Sequence, residues 1–495
     1  METVESLLSW QVISGTILAY LVTLAVYRLF LHPLARFPGP KLAAITRYYE
    51  AYYDVVRDGQ YTNKIAEMHK AYGIILITLY HHSQVRSAVV LIRLGFRLEG
   101  PIVRISPHEL HINDSFFYET LYRHEGRWNK YSWNIDAQNA QGAAIFTADH
   151  YQHKARRQPL NPFFSKARVA AHVGLLHDKL ARLCERISEY CVDGDTQNHQ
   201  TLDLGAAISA FQRDVMTAFA LGKSYDHLDH PDFGIGMALA ILGGGFVWRT
   251  SKHVPLFGWT LHQISKRFKF MVRHFPEETQ SFLGLVGDME QETDRLLKEA
   301  AAALSKATRP EDSIESPRTI VHEIYDAPGL PDSDKTLERV FKDVATVTGA
   351  GMETTASVLR LVLYQVYSRP GILSKLRAEL AQADITTSND KPELRTLEHL
   401  PYLTGVLMEG MRFSPALYTR LQRIAPDRDI VYGSYRIPKG TPVGMTTYFM
   451  HMDEQVYPDP EKFDPDRWVD PGARKKYEKV WAPFSRGSRI CLGMQ

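Results

Sequence analysis

Apolar residues recur every three or four positions through most of the chain, the spacing of amphipathic helices. This spacing is found over residues 169–191, 203–221, 283–304, 337–367 and 400–413. Short segments typical of β-strands occur mainly around residues 101–112 and 430–443. The pattern predicts a fold that is mainly α with a small β-sheet region.

The first apolar segment is uncharged from Ser6 to Tyr27, unlike the amphipathic helices that follow. As a helix it would be about 33 Å long, enough to cross a hydrocarbon core of about 30 Å. Acidic residues precede it and basic residues follow it, which favours a cytoplasmic position for the rest of the chain. We predict a retained, single-pass membrane anchor helix over residues 1–27, with a buried core helix as the alternative.

Prolines dominate the segment that follows, residues 28–41, in His32-Pro33 and Phe37-Pro-Gly-Pro40. Proline cannot continue a helix, so this segment is predicted to be a stiff hinge. The remaining residues, 42–495, are predicted to form one catalytic domain.

The charge balance excludes a general affinity for nucleic acid, because 58 basic and 56 acidic residues leave a formal charge of only +2. The chain has three cysteines. Cys184 and Cys191 would lie about 10 Å apart along a helix, too far for a disulfide. Cys491 therefore has no obvious structural role, and a reducing compartment is indicated.

A motif near the end of the chain gives Cys491 a chemical role. Phe484, Gly487, Arg489, Cys491 and Gly493 form the pattern F-x-x-G-x-R-x-C-x-G. It resembles the haem-binding loop of the cytochrome P450 family. The resemblance implies a haem (heme) cofactor whose iron is bound by the Cys491 thiolate, glycines that allow a tight turn, Arg489 facing a propionate and Phe484 covering the proximal side. The alternative is an inert cysteine in a Gly-Arg turn.

A second motif, Ala350-Gly-Met-Glu-Thr-Thr355, lies on the predicted helix 337–367. It resembles the oxygen-activating segment of the same family, which implies that Glu353 and Thr354 are catalytic and deliver protons. Valines, threonines and glycines give residues 344–355 a poor helix propensity, so we predict a local distortion of the helix there. A solvated or packing role is the alternative.

Further matches are structural or bind the cofactor. Glu409 and Arg412, with Arg467 from a Pro-x-Arg segment, resemble the family's buried charge cluster and are predicted to hold the proximal scaffold. The resemblance also implies that three basic residues bind haem propionates, with a solvated basic helix face as the alternative: His153, Arg157 and Arg423.

Electrons must come from a separate protein, because neither a phosphate loop nor Rossmann spacing is found. The family resemblance implies an NADPH-dependent flavoprotein reductase, O2, a small lipophilic substrate and a membrane lipid bilayer, that of the endoplasmic reticulum. A basic run is a candidate dock for the reductase, or a plain solvated surface: Arg474, Lys475, Lys476 and Lys479. Substrate contacts are predicted around residues 142–146, Val347, Ala350 and residues 416–421.

The chain departs from the family pattern in two places. A Tyr-Gly pair normally runs directly into Pro-Ile-Val-Arg, but here residues 74–100 intervene, and we interpret them as an insertion or a gene-model artefact. The chain also ends at Gln495, four residues after the cysteine, where the family continues into a further helix. This predicts weak haem retention.

Together these patterns predict a haem-dependent monooxygenase that inserts one oxygen atom into a lipophilic secondary metabolite such as a terpenoid or polyketide. The resemblance is to filamentous-fungal microsomal members of the family. Two alternatives remain at this point: a truncated, non-catalytic haem-binding membrane protein, and a haem-thiolate isomerase or dehydratase.

Overall fold

The computed structural model describes residues 10–72, 101–138, 140–190, 201–267, 269–305, 318–383, 393–414 and 416–494. The interpretation of residues 74–100 as an insertion lies outside these ranges, as does Cys191.

Helices dominate the described residues, as predicted. Those of eight residues or more are α1 (Trp10–Val26), α2 (Tyr61–Tyr72), α3 (His150–Arg157), α4 (Val173–Ser188), α5 (Leu204–Leu221), α6 (Ile235–His253), α7 (Pro255–Arg267), α8 (Glu277–Ser305), α9 (Leu337–Tyr367), α10 (Pro370–Gln382) and α11 (Pro401–Phe413). Short α-helices occur at Lys41–Ile45, Tyr48–Ala51, Tyr118–Leu121, Ser132–Ile135, Leu160–Phe163, Lys166–Ala171, Ile320–Tyr325, Leu394–Glu398, Thr447–His451 and Pro471–Tyr477. Two π-helical turns, Tyr27–Leu31 and Tyr52–Val56, complete the amino-terminal region.

The strands fall where the alternating pattern predicted them. β1 (Ile102–Arg104) pairs antiparallel with β2 (Leu110–Ile112), which pairs in parallel with β5 (Val443–Gly444). β3 (Ile430–Tyr432) and β4 (Tyr435–Ile437) form a separate antiparallel hairpin. The three-stranded sheet joins segments that lie more than 300 residues apart in the chain. Ile102, Leu110, Ile112 and Val443 enter one core cluster, while Val103 enters another.

The first helix is the one described segment long and apolar enough to span a membrane, and none of its apolar window is buried. It continues without a break through the π-helical turn to Leu31, four residues beyond the predicted end of the anchor. The proline-rich segment then packs on the domain, since Leu34 and Phe37 are only 2% and 4% exposed. Pro38 O accepts a hydrogen bond from Arg104 N, at 2.7 Å.

The central element is α9, which packs against α5 on one side and against α11 on the other. Gly410 allows the approach of α11, because a Cβ at that position would overlap the Val362 side chain. The short turns Ala144–Phe146 and Gly487–Arg489 are brought to the same region of the fold by contacts with α9 and α3. This region contains the candidate site.

Candidate active site

The cysteine loop is held in a fixed turn by its own backbone. Cys491 N donates to Phe484 O at 2.9 Å, which closes the loop over the Gly487–Arg489 turn. Gly487 has a φ of +72°, and a Cβ there would overlap the carbonyl oxygens of Tyr122 and Arg123. Glycine is therefore required at this position for both conformation and space.

The sulfur has a mixed electrostatic environment. Cys491 is exposed on the loop, yet the surrounding groups partly desolvate its sulfur and raise the pKa of the thiol. The backbone N–H of Gly493 and the charge of Arg157 act in the opposite direction. A dipole and a cation thus face the sulfur, as a thiolate ligand requires.

Helix α3 connects the predicted cationic residues to this loop. Asp149 caps the helix by accepting from the backbone N–H groups of Tyr151 and Gln152. One turn on, His153 is buried, and Arg157 donates to Ile490 O at 2.5 Å and lies 3.5 Å from Cys491 O. Arg157 therefore holds the backbone of the cysteine loop at Ile490 and Cys491.

Arg489 and Arg423 approach from other elements. Arg489 donates through Nη1 to Thr147 O at 2.7 Å and through Nη2 to Ala148 O at 2.8 Å. Its paired donors, which the sequence assigned to a propionate, thus tie the cysteine loop to the segment before α3. Arg423 lies on a segment that pairs with β5, with its guanidinium 4.8 Å from the Tyr122 ring centre.

The sequence interpretation missed Lys130. Its Nζ donates to Ile145 O at 2.6 Å, and the positive charges of Arg423, Arg489 and Arg157 all act on it. Burial and these charges hold the pKa of Lys130 well below its usual value. Lys130 follows Arg127 by three residues in a loop, a spacing that is typical of no motif. Only the fold shows that Lys130 belongs to this site.

Five basic side chains therefore converge beside the cysteine loop: Lys130, His153, Arg157, Arg423 and Arg489. Burial, reinforced by the neighbouring cations, lowers the pKa of His153 to about 2 and that of Arg489 to about 9. Arg489 Nε is buried and has no hydrogen-bond partner among the described residues. Such a cluster is costly unless an anion compensates it, and the two propionates of haem supply that charge. The residues therefore fit a haem bound at Cys491.

The structure does not bring Glu353 and Thr354 into contact. Glu353 forms an ion pair with Arg360, which also donates to Ser209 Oγ of α5 at 2.5 Å. Thr354 donates to Ala350 O of its own helix at 2.7 Å. Neighbouring helical residues point about 100° apart, so the two side chains have different surroundings.

The predicted distortion of residues 344–355 is wrong. Helix α9 is α-helical from Leu337 to Tyr367. The hydroxyls of Thr346 and Thr354 donate hydrogen bonds to the carbonyl oxygens four residues earlier. Gln212 of α5 donates to Gly351 O at 3.2 Å. Tertiary packing against α5, α8 and α11 overrides the weak local propensity.

Glu409 is the centre of a buried cluster beneath the loop. It forms a two-point ion pair with Arg412, at 2.7 and 2.8 Å, and lies 3.4 Å from Arg467 Nε. Trp468 Nε1 and Asp464 N donate to the same carboxylate, at 2.9 and 3.0 Å. The structure thus brings together the three residues that the sequence grouped.

One of the regions predicted to contact substrate, residues 142–146, lies against α9. Ala144 N donates to Asp343 Oδ1 at 2.6 Å, which docks residues 142–146 onto the helix before Val347. The segment 416–421 follows α11 and leads to Arg423.

Comparison with known proteins decides the family. The family model for cytochrome P450 matches residues 103–495. The chain belongs to the cytochrome P450 family. It is 36% identical to the cytochrome P450 monooxygenase tpcC of Cochliobolus heterostrophus, over 96% of this chain and 83% of that protein. The N-acetyltryptophan 6-hydroxylase ivoC of Emericella nidulans is 33% identical, over 100% of this chain and 88% of that protein. The tryptophan 6-hydroxylase fscE of Fusarium equiseti is 34% identical, over 95% and 84%.

Membership of the family identifies the class of enzyme and its cofactor. This P450 is a haem-thiolate monooxygenase, and its relatives are monooxygenases of fungal secondary metabolism. Its cofactor is haem with cysteine thiolate ligation, and the family uses O2, a redox partner and lipophilic substrates.

Proposed function

We propose that Cys491 is the axial ligand of the haem iron in a monooxygenase acting on a lipophilic secondary metabolite. The observation that carries the proposal is the cluster of five basic side chains beside a cysteine whose loop is closed by its own backbone. When bound, haem would activate O2 so that one oxygen atom enters a C–H bond of the substrate and the other leaves as water.

The residues around the cysteine hold the cofactor in this proposal. Lys130, His153, Arg157 and Arg423 compensate the propionates, while Arg489 holds the loop to residues 147–149 and offers its free Nε. The turns at Gly487 and Gly493 shape the loop around the sulfur, and Phe484 covers the proximal side. Glu409, Arg412 and Arg467 support the loop from below.

Glu353 and Thr354 deliver protons during the reaction. In this proposal the hydroxyl of Thr354 donates to O2, and Glu353 takes up protons at the α5 side of the helix. Because the Glu353 carboxylate is held by Arg360, it must change rotamer or use a bridging water to serve Thr354.

The substrate is a product of fungal secondary metabolism. Two relatives are named for hydroxylation of tryptophan or N-acetyltryptophan, so an aromatic or indole-containing molecule joins terpenoids and polyketides as a candidate class. We assign substrate contact to residues 142–146, Val347, Ala350 and residues 416–421. In this proposal these residues determine which class of substrate binds.

The enzyme works at the endoplasmic reticulum membrane in this proposal. The exposed apolar helix that ends at Leu31 is a single-pass anchor with the catalytic domain in the cytoplasm. Electrons arrive from an NADPH-dependent flavoprotein reductase, for which the basic run around α-helix Pro471–Tyr477 is the candidate dock.

A spectrum of the reduced, carbon-monoxide-bound protein tests the iron ligand. The expected result is the red-shifted Soret band of a thiolate ligand, lost in Cys491→Ser. Cys184→Ser is the matched control, because Cys184 is an exposed cysteine on α4 remote from the loop. An unchanged spectrum in Cys491→Ser would rule out the proposal.

A further inference from the structure

A set of opposite charges joins the end of α6 to the segment that follows the amino-terminal helix. Three carboxylates at spacings of four residues face three basic side chains near the carboxyl end of α6. We call this set the α6 clamp; it comprises Glu50, Asp54 and Asp58 on one side and Arg249, Lys252 and His253 on the other.

Lys252 is the buried centre of the clamp. Its side chain is 3% exposed, and its Nζ lies 2.7 Å from Glu50 Oε1 and 2.5 Å from Asp54 Oδ2. The ammonium also lies 5.3 and 5.5 Å from the ring centres of Trp133 and Trp248. The acidic groups are thus occupied by the protein's own cation, which distinguishes the clamp from a metal site.

The outer contacts extend the clamp to the surface. His253 Nε2 lies 2.9 Å from Asp54 Oδ2, and Arg249 Nε donates to Asp54 O at 3.0 Å. Arg249 also forms an ion pair with Asp58, whose side chain is exposed. Every basic residue of the last turn of α6 therefore has a partner in residues 50–58.

Glu50 connects the clamp to a second element. Arg420 Nη2 lies 2.6 Å from the same Glu50 oxygen that binds Lys252. Arg420 is also paired with Glu109 at 2.6 Å, and all three side chains are buried. Because Arg420 belongs to residues 416–421, one carboxylate holds both α6 and a segment assigned to substrate contact.

The clamp holds the carboxyl-terminal end of α6, while α7 and α8 pack along the helix. Among the 19 residues of this helix, only Ala238, Ser251 and Lys252 are buried, and two of these lie in its last turn. Trp248 Nε1 donates to Asn134 O at 3.3 Å, so the same end of α6 covers the segment that leads to residues 142–146. Release of the clamp should therefore loosen this end of α6, because local opening needs only the local contacts to break.

We infer that Glu50 and Asp54 are positioning residues of the substrate site. They hold the end of α6 against residues 416–421 through Lys252 and Arg420, and loss of these ion pairs eases the entry of a bulky apolar molecule. This inference rests on the proposed function, because it takes residues 416–421 as part of the substrate site.

Two variants of the haem-loaded protein test the inference. Lys252→Met removes the cation while keeping an unbranched side chain, and leaves Glu50 paired with Arg420. Glu50→Gln weakens both connections. We expect amide exchange of residues 235–253 and association of clotrimazole, an azole that binds haem iron, to be roughly tenfold faster in Lys252→Met. Glu50→Gln should have an effect at least as large.

Glu67→Gln is the control, because Glu67 pairs with Lys64 on the surface of α2, outside the clamp. In this variant, amide exchange of residues 235–253 and the association rate of clotrimazole should equal those of the unmodified protein. Unchanged clotrimazole association in Lys252→Met, with or without faster exchange, overturns the inference. If the unmodified protein shows no thiolate spectrum, the proposed function fails instead, and unchanged exchange of residues 235–253 in Lys252→Met would still overturn the clamp.

Discussion

A single carboxylate, Glu409, organises the scaffold under the cysteine loop. Its two oxygens accept from Arg412, Arg467, Trp468 and the backbone of Asp464, and its side chain has no exposed surface. A buried pair of this kind contributes little net stability when complete but is expensive to break, because the remaining charge stays buried.

We therefore predict that Glu409→Gln destabilises the protein by about 3–5 kcal/mol, since Arg412 loses a buried counter-ion. Trp468→Phe removes one hydrogen bond from the same carboxylate and should cost about 1–2 kcal/mol. Urea unfolding monitored by intrinsic fluorescence measures both. A loss for Glu409→Gln no larger than that for Trp468→Phe would contradict the role of Glu409 as the hub.

Lys130 supports a second prediction at the scale of one residue. Replacing it with Gln removes one of the five basic side chains proposed to bind the propionates, so haem should dissociate roughly tenfold faster, as expected for one charge-assisted hydrogen bond. Transfer of haem to apomyoglobin measures the rate. Lys154→Gln is the control, because Lys154 is an exposed lysine next to His153 on α3, and equal rates in the two variants would contradict the prediction.

The motif residues and Lys130 differ in how far sequence could identify them. Cys491 and Gly487 occupy fixed positions in one short motif, so sequence alone singles them out, although the space at Gly487 is also limited by Tyr122 and Arg123. Lys130 reaches the cluster through Ile145 O and through packing against segments from distant parts of the chain. The residues next to Lys130 in the sequence do not indicate that it lies in the basic cluster.

At the scale of elements, periodicity predicted most helices well. The predicted range 337–367 equals the bounds of α9, a helix that packs against α5 and α11. The predicted helix 169–191 is instead divided at His172 into Lys166–Ala171 and α4. Periodicity cannot detect such a break, because apolar spacing continues across it. The wrong prediction of a distortion in α9 rested on low helix propensity, which tertiary packing overrides.

The end of the amino-terminal helix supports a prediction about two truncations. Arg28 O accepts from Arg104 Nη1 at 2.8 Å, and Arg104 is 2% exposed. Deleting residues 2–27 keeps this acceptor, whereas deleting residues 2–31 removes it and leaves a buried donor without its partner.

Both deletions should move protein from the membrane to the soluble fraction, because the exposed apolar helix is lost. The longer deletion should also be less stable by about 1–3 kcal/mol. Sedimentation of cell lysates and urea unfolding measure the two effects. Equal stability of the truncated proteins would show that Arg104 finds another acceptor.

At the scale of the whole molecule, the buried histidines make the fold sensitive to acid. Burial lowers the pKa of His111 well below its usual value, and that of His451 to about 3, with the charge of Arg412 adding to the effect on His451. These residues lie in different parts of the core, His111 on β2 and His451 at the end of helix Thr447–His451. Acid therefore acts on several regions at once.

His451 allows this sensitivity to be tested. Its neutral Nε2 accepts a hydrogen bond from Ala482 N at 3.0 Å, which a protonated ring cannot do. The unfolded chain binds the proton below the ordinary pKa of 6.5, whereas the folded protein binds it only near 3. Stability from this residue is therefore complete above pH 6.5 and falls by up to about 1.4 kcal/mol per pH unit as the pH decreases toward 3.

We predict that His451→Gln flattens the loss of stability between pH 6.5 and pH 4.5, because the Gln side-chain oxygen can accept from Ala482 N but does not titrate. The variant should be less stable than the original protein at pH 7.5, where the imidazole fits better, and this difference should shrink by up to about 2.7 kcal/mol by pH 4.5. Urea unfolding across this range measures the slope. His124→Gln, a change at an exposed histidine, should leave the slope unaltered. Parallel pH profiles for His451→Gln and the original protein would mean that other titrating groups set the acid sensitivity of the fold.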